Sequence, residues 1–337
     1  MKFDRDNRSA DGRRRCLKGM AVLVACLAGG SLTGPALADA YPGKPISIVV
    51  PFASGGPTDA SARVVAKVLT AQLGQQVLVE NKAGAGGVVG TAAVARATAD
   101  GYTLLWGGTS SLAVAPALYP NVQFDPVKSF VPIGMATRGP MLLVGRAGLP
   151  PSTVQELVTY SRQHKVNMGS GGAGTLAHLA GEYFQEVSSA QMLHVPYRGG
   201  APALQDLLGG QIDVVFDNLS FLLPHVQSGR IKVYAVTSAQ RHALLPDVPT
   251  VAEVYGQGFE VYSWFGLVAP AGTPPEVLAK LSAAMGQVNG NAEARQALAA
   301  ARLESVATTP ESFGRAIEAD HAKWARVIKR ANVRVDQ

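Results

Sequence analysis

Glycine and hydroxyl residues are grouped in four short stretches, at residues 53–59, 107–111, 169–175 and 198–201. Each stretch lies at a predicted junction between a strand and a helix. Backbone N–H groups point outward from such a junction, and the helix dipole adds about half a positive charge there. This arrangement favours the binding of a small anion.

Residues 46–63 show the pattern most clearly. An apolar run at residues 46–50 predicts a strand, Gly55 and Gly56 predict a turn, and apolar residues at helical spacing resume after Asp59. Asp59 is either an ordinary cap that the helix dipole favours, or a residue that orders the loop or a water against the ligand. We expect this loop to form one wall of an anion site.

Residues 169–174 match the dinucleotide-binding pattern G-x-G-x-x-G. A dinucleotide site needs an acidic residue at the end of the next strand, but that strand ends at Tyr197 and Arg198. We therefore expect residues 169–174 to form a tight turn with outward N–H donors. Arg198 either pairs with a ligand carboxylate or is solvated. His178, on the first helical turn, either takes part in ligand binding or packs locally. Residues 84–90 lack the Gly-Lys-Ser/Thr of a phosphate loop, and we expect close helix–strand packing there.

The sequence contains no recognisable catalytic or metal-binding pattern. Ser54, Ser110 and Ser170 lack the flanking glycines of a G-x-S-x-G nucleophile. Both cysteines, Cys16 and Cys26, fall in the N-terminal segment, and the six histidines have no metal-ligand spacing. We therefore expect a binding protein rather than an enzyme, with no cofactor and no metal.

The N-terminal segment has the features of a secretory signal peptide. Residues 1–18 carry seven Lys/Arg and three Asp, an uncharged run follows, and cleavage patterns end at Ala38 and Ala40. Two alternatives stay open, because the arginines before Cys16 resemble the twin-arginine export signal and the residues before Cys26 resemble a lipoprotein processing site. We predict a signal peptide at residues 1–38 and a periplasmic location.

Removing this segment changes the charge balance of the chain. The formal net charge of +6 falls to +2 without residues 1–38, so the basic composition gives no argument for a nucleic-acid partner. The remaining chain alternates strands with helices, which predicts parallel sheets covered by helices, and it is long enough for two domains. Because ligands collect at the carboxyl ends of such strands, the four stretches predict a cleft between two lobes.

Six ordered motifs between Tyr41 and Asp336 resemble one family: YPGKPISIVVPFASGGPTDASARVVAKVL, QLGQQVLVENKAGAGGVVGTAAVARATADGYTLL, GSGGAGTLAHLAGEYF, VPYRGGAPALQDLLGGQIDVVFDN, LPDVPTVAE and WFGLVAPAGTPPEVLAKL. They are similar to the Bug-type receptors, the extracytoplasmic solute-binding proteins of tripartite tricarboxylate transporters. The resemblance implies an α/β, two-lobed periplasmic binding protein fold of type II, each lobe a mainly parallel sheet flanked by helices. Two crossovers, near Arg138 and Tyr262, divide it into a lobe of residues 41–138 with 262–337 and a lobe of residues 139–261.

The resemblance also implies a site and its partners. The ligand is a small carboxylate (a dicarboxylate, an amino acid or an aromatic acid), held mostly by backbone N–H groups, hydroxyls and waters. By motif, the ligand-binding residues are Ser54, Gly55, Gly56, Thr58, Asp59, Thr109, Ser110, Ser170, Gly172, Gly174, Thr175, His178, Tyr197, Arg198, Gly199, Ala201 and Asp217. Ala115 stands where the family commonly has Asn, so one polar contact is expected to be missing. The implied partners are the ligand and the membrane permease subunits of the transporter, with a monomeric receptor and no nucleic acid.

Overall fold

The computed structural model describes residues 41–197, 199–256, 258–301 and 303–335. The predicted signal peptide, its cleavage sites and Cys26 lie outside these residues, and so does Arg198.

Strands and helices alternate through most of the described chain. The strands are β1 (Ile46–Val50), β2 (Val77–Asn81), β3 (Thr103–Gly108), β4 (Phe130–Arg146), β5 (Asn167–Ser170), β6 (Leu193–Pro196), β7 (Val214–Asn218), β8 (Ile231–Val236), β9 (Tyr262–Pro270) and β10 (Glu304–Ser305). The helices are α1 (Pro57–Leu73), α2 (Val88–Ala95), α3 (Ala115–Leu118), α4 (Val154–Gln163), α5 (Leu176–Ser188), α6 (Gly200–Leu208), α7 (Leu219–Gln227), α8 (Val251–Tyr255), α9 (Pro275–Gly290), α10 (Ala292–Ala300) and α11 (Pro310–Arg330). A π-helical turn spans Thr109–Val114.

The strands form a mixed sheet in the order β2-β1-β3-β9-β4-β7-β5-β6, with β8 and β10 also paired to β4. Pairing is parallel between β1 and its neighbours β2 and β3, and between β5 and its neighbours β6 and β7. Strands β4 and β9 pair antiparallel with each other and with the strands beside them. The carboxyl ends of β1 and β3, and those of β5 and β6, lead into the four glycine- and hydroxyl-rich stretches.

Strand β4 is one continuous element, although its sequence contains Gly139 and Pro140. Residues 130–140 of β4 pair with β9, whereas Met141 to Arg146 pair with β7 and β8. The strand continues because its successive partners supply hydrogen bonds on both sides of the proline. Two register shifts, on either side of Gly134 and Met135, let it bend.

Helix α1 illustrates how local signals set the helix boundaries. Pro57 occupies the first turn, where its missing N–H costs no hydrogen bond. The helix ends at Gly74, which adopts a left-handed conformation (φ 68°) and donates its N–H to the Thr70 carbonyl. The helix therefore ends at a glycine, and it begins two residues before Asp59.

Helices cover both faces of the sheet. Trp106 of β3 is fully buried and donates its ring N–H to Ser61 of α1 at 3.0 Å. Trp106 lies opposite Leu267 of β9. Phe313 of α11 packs against Gly266, the residue of β9 adjacent to Leu267. Because successive residues of a strand face opposite sides, α1 and α11 cover opposite faces. Within the described chain, no helix is both long and apolar enough to cross a bilayer.

Candidate functional site

Asp59 organises the loop between β1 and α1. Its Oδ2 accepts hydrogen bonds from the Gly55 N–H and from Arg63 Nε, both at 3.0 Å. Its Oδ1 accepts from Arg63 Nη2 at 2.9 Å and from Asn81 Nδ2 at 3.0 Å. Asn81 also donates to the Phe52 carbonyl at 3.0 Å. The carboxylate thus ties both ends of the loop to α1 and β2.

These bonds also hold Asp59 ionised. Hydrogen bonds from Arg63, with further bonds from Gly55 and Asn81, lower the pKa of Asp59 to about 2 against the opposing effect of burial. The Asp59 side chain therefore orders the loop, which is one of the two roles that the sequence leaves open. Sequence reasoning missed Arg63 and Asn81. The Asp59–Arg63 spacing of four residues on one helix was the available signal for Arg63.

The same loop presents unpaired donors. Gly56 caps α1 without offering a side chain, and within the described chain the N–H groups of Thr58 and Asp59 meet no acceptor. A side chain on Gly55 or Gly56 would meet no atom within 4 Å. Gly55 has a φ of 87°, which favours glycine. Ser54 is exposed beside these glycines, so this stretch is open to a ligand.

Thr109 holds two backbone segments together and is not exposed to a ligand. Its Oγ1 donates to the Tyr262 carbonyl at 3.1 Å and accepts from the Trp264 N–H at 3.0 Å, and the residue is 1% exposed. It therefore fixes the 109–114 turn to the start of β9. Ser110, the next residue, is half-buried, and it is the better candidate for ligand contact. Ala115 is buried, and its methyl side chain offers no polar group.

The loop from Ser170 to Thr175 is held by its own hydroxyls. Ser170 Oγ accepts from the Gly172 N–H at 3.1 Å and lies 2.7 Å from His194 Nε2. Thr175 caps α5 and donates to the Gly172 carbonyl at 2.8 Å. Ser170 is 2% exposed, so the serine–histidine contact shapes the loop and does not present a nucleophile.

His178 supports this loop from beneath. Its Nδ1 accepts a hydrogen bond from the Gly174 N–H at 3.1 Å, which places its ring proton on Nε2, 3.4 Å from Glu182 Oε1. The ring stacks on His194 with centroids 3.6 Å apart, and His178 is 6% exposed. Both nitrogens are therefore used within the protein, which favours the local-packing role over direct contact with a ligand.

His194 should make stability depend on pH. Burial, and next the neighbouring His178, lower the pKa of His194 from 6.5 to about 4. The unfolded chain binds a proton that the folded chain excludes, so stability is full above pH 6.5 and falls as the pH drops towards 4. We expect the variant His194→Asn to flatten the decline in unfolding free energy over this range, measured by urea denaturation.

The exposed His164 provides the matched control. The variant His164→Asn should keep the wild-type slope. Equal slopes in wild type and His194→Asn would show that the folded protein does not exclude the proton.

The loop after β6 is hydrogen-bonded to the loop after β5. Tyr197 donates its N–H to the Ser170 carbonyl and its hydroxyl to Asp206 Oδ2, at 3.0 and 2.7 Å. The Gly199 N–H donates to the Gly171 carbonyl at 3.1 Å. Tyr197 is therefore a structural residue, while Gly199 (φ 114°) has no atom within 4 Å of where a side chain would stand.

Helix α6 starts at this loop without a side-chain cap. Gly199 is its N-terminal cap, and the N–H groups of Gly200 and the exposed Ala201 meet no acceptor in the described part of the chain. Asp217 lies beside this helix start, because its Oδ2 would be 2.5 Å from a Cβ on Gly200. Its Oδ1 accepts from the Asn218 N–H at 2.7 Å, and burial raises the pKa of Asp217 to about 6.

The predicted residues thus form two clusters. One comprises the 51–59 loop and the 109–114 turn, which are linked because Gly87 packs against both Phe52 and Ser111. The other comprises the loops after β5 and β6 together with Asp217. Helix α5 contacts the 109–114 turn, and Gly174 lies against Leu118 of α3, so the elements that carry the two clusters are in contact. Among the described residues, no group of three His, Cys, Asp or Glu side chains could hold a metal ion.

Comparison with known proteins supports a receptor role for this architecture. A family model described as "Tripartite tricarboxylate transporter family receptor" matches residues 61–333. The solved structure of the periplasmic binding protein BugD is 38% identical, with 87% of this chain and 99% of BugD covered and a TM-score of 0.74. The R. palustris protein Rpa4515, solved with adipate, is 34% identical, with 87% and 99% covered and a TM-score of 0.77. MatC from Rhodopseudomonas palustris, solved with bound malate, is 32% identical, with 86% and 100% covered and a TM-score of 0.74.

These matches confirm the α/β, two-lobed periplasmic binding protein fold that the motifs imply, and they place the chain among solute-binding receptors of the periplasm rather than enzymes. The chain belongs to the tripartite tricarboxylate transporter receptor family.

Proposed function

We propose that the protein captures a small dicarboxylate between its two lobes. One observation carries this proposal: helices α1 and α6 each begin at a glycine, Gly56 and Gly199, that offers no capping side chain. Their first N–H groups remain available, and the dipole of each helix favours a negative charge at that end. Two such helix starts suit a ligand with two carboxylates.

The relatives support this ligand class. Adipate and malate, which accompany two of the solved structures, both carry two carboxylates. Each charge-assisted hydrogen bond contributes about 1.5–3 kcal/mol, so four bonds at the upper end of this range give roughly micromolar affinity after ordering costs of about 4 kcal/mol. Acidic amino acids and aromatic acids are the alternative ligands.

We assign residues 41–138 with 262–337 to one lobe and residues 139–261 to the other. The change of β4 partners at Met141 supports this boundary. Ligand bridging the lobes would stabilise the closed state and so shift the population towards it. In this scheme Ser54, Thr58, Ser110 and Ala201 contact the ligand.

The closed form would be recognised by the membrane permease subunits of a tripartite tricarboxylate transporter. We propose that the receptor acts as a monomer and is exported by a signal peptide at residues 1–38, with cleavage after Ala38 or Ala40. The family description supports the transport role, and the periplasmic location of BugD supports export.

Isothermal titration calorimetry of protein purified from the periplasm tests the proposal. Malate and adipate are titrated separately, with malamide as the uncharged control. We expect at least one dicarboxylate to bind with a Kd of about 10 µM or below, to be recovered unchanged, and malamide not to bind. Binding of malamide without binding of either dicarboxylate would contradict the anion site.

A further inference from the structure

A cavity of about 460 Å³ lies beside strands β4 and β9, and none of the sequence-predicted site residues lines it. Its walls include Arg138 of β4, Tyr262 and Trp264 of β9, and Ala316 and Lys323 of α11. We call it the β4–β9 cavity. A molecule there would contact both strands that run between the two halves of the sheet. The volume is within the range of small-molecule sites, about 300–1,000 Å³.

Arg138 is the polar group of this cavity with donors to spare. Its guanidinium stacks on the Tyr262 ring, 4.5 Å from the centroid. Its Nε is buried and makes no hydrogen bond within the described chain, although Glu304 Oε2 lies 3.5 Å away. Glu304 is also shared with His242 Nε2, at 3.4 Å. The Arg138 side chain is 41% exposed, so the remaining guanidinium N–H groups can receive an acceptor from outside the chain.

The two partly exposed charges that α11 contributes to the cavity are already paired. Lys323 Nζ lies 2.7 Å from Asp320 Oδ1 and donates to the Glu260 carbonyl at 3.0 Å. Asp320 Oδ2 accepts from Trp264 Nε1 at 2.6 Å. The Glu260 side chain is exposed and can be hydrated. Arg138 is therefore the charged group of the cavity that can still bind an acceptor. A carboxylate matches the paired N–H donors of its guanidinium.

Most of the remaining lining is apolar. Trp264 and Met135 are 3% and 9% exposed, and Val306 and three alanines extend this surface, with Thr308 and Ser312 as its hydroxyl groups. Burial of an apolar body against it contributes about 25 cal/mol per Å² of surface removed from water. A doubly charged ligand would place its second carboxylate against these groups, so one charge is the better fit.

We propose that the β4–β9 cavity binds a small organic monocarboxylate, with its carboxylate on Arg138 and its apolar body against Trp264 and Met135. This site is separate from the dicarboxylate cleft and does not depend on it.

Benzoate is the probe, and ¹⁹F NMR of the exported protein labelled with 5-fluorotryptophan is the readout. The chain has three tryptophans, and the variant Trp264→Phe assigns the Trp264 signal. We expect benzoate to shift this signal saturably with a Kd of about 1 mM, also when malate is present in excess. Absence of a saturable shift, or its loss through competition by malate, would overturn the proposal.

Matched variants locate the probe. Ala316→Leu fills the cavity and should abolish the shift, whereas Ala322→Leu, on an exposed position of the same helix, should leave it unchanged. Arg138→Gln should weaken benzoate about tenfold by removing the charged fork. A full shift in both Ala316→Leu and Arg138→Gln, or tighter binding of benzylamine than of benzoate, would contradict the assignment.

Discussion

Replacing Asp59 by Ala should lower dicarboxylate affinity on the order of a hundredfold, a loss of about 2.7 kcal/mol. The variant removes the acceptor of the Gly55 N–H and of Asn81, so the loop that presents the α1 N-terminus loses its fixed position. The free energy of unfolding should fall by only about 1–3 kcal/mol, because the half-exposed Arg63 regains water. Calorimetry with malate or adipate and urea denaturation measure the two effects.

Glu293→Ala is the control for loss of an acidic side chain from an ion pair. Glu293 pairs with Lys67, and both side chains are 73% exposed, so the change in stability should be within about 1 kcal/mol. Its affinity for the dicarboxylate should equal that of wild type. If Asp59→Ala loses stability but keeps its affinity, then Asp59 is an ordinary helix cap.

The variant Gly90→Ala should destabilise the protein by about 1–3 kcal/mol through overpacking. An added Cβ would lie 2.6 Å from the Lys82 carbonyl oxygen and 2.8 Å from Pro51 Cα. Neither atom can move easily, because the Lys82 N–H is bonded to the Val50 carbonyl at 2.8 Å. Since Pro51 opens the 51–59 loop, affinity for the dicarboxylate should fall as well. The midpoint of urea unfolding measures the change in stability.

Gly286 offers a matched substitution of the same type. It lies on the exposed side of α9, and a Cβ there would meet no atom within 4 Å. Gly286→Ala should therefore stabilise the protein by about 0.5–1 kcal/mol, as expected for removing glycine from a helix interior. Equal effects of the two substitutions would refute the close packing of α2 against β1.

Local chemistry was sufficient to predict the loops at the strand ends. Gly55 and Gly199 adopt positive φ, and Gly74 ends α1 in a left-handed conformation, because these properties depend on a residue and its immediate neighbours. The close helix–strand packing expected at residues 84–90 is present at Gly90, which lies directly against the backbone of Pro51 and Lys82. The alternation of strands and helices predicted the α/β class for the same reason.

Only the tertiary structure decided what the polar side chains do. Asp59 receives Asn81 from β2, Thr109 bonds to β9, and His178 stacks on His194 of β6. Such contacts join segments far apart in the chain, and their formation depends on register and packing that no local pattern encodes. The sequence by itself thus determined where donors could face a ligand. The tertiary structure decided that Thr109, His178 and Tyr197 support these loops from within, because each is already bonded to another part of the protein.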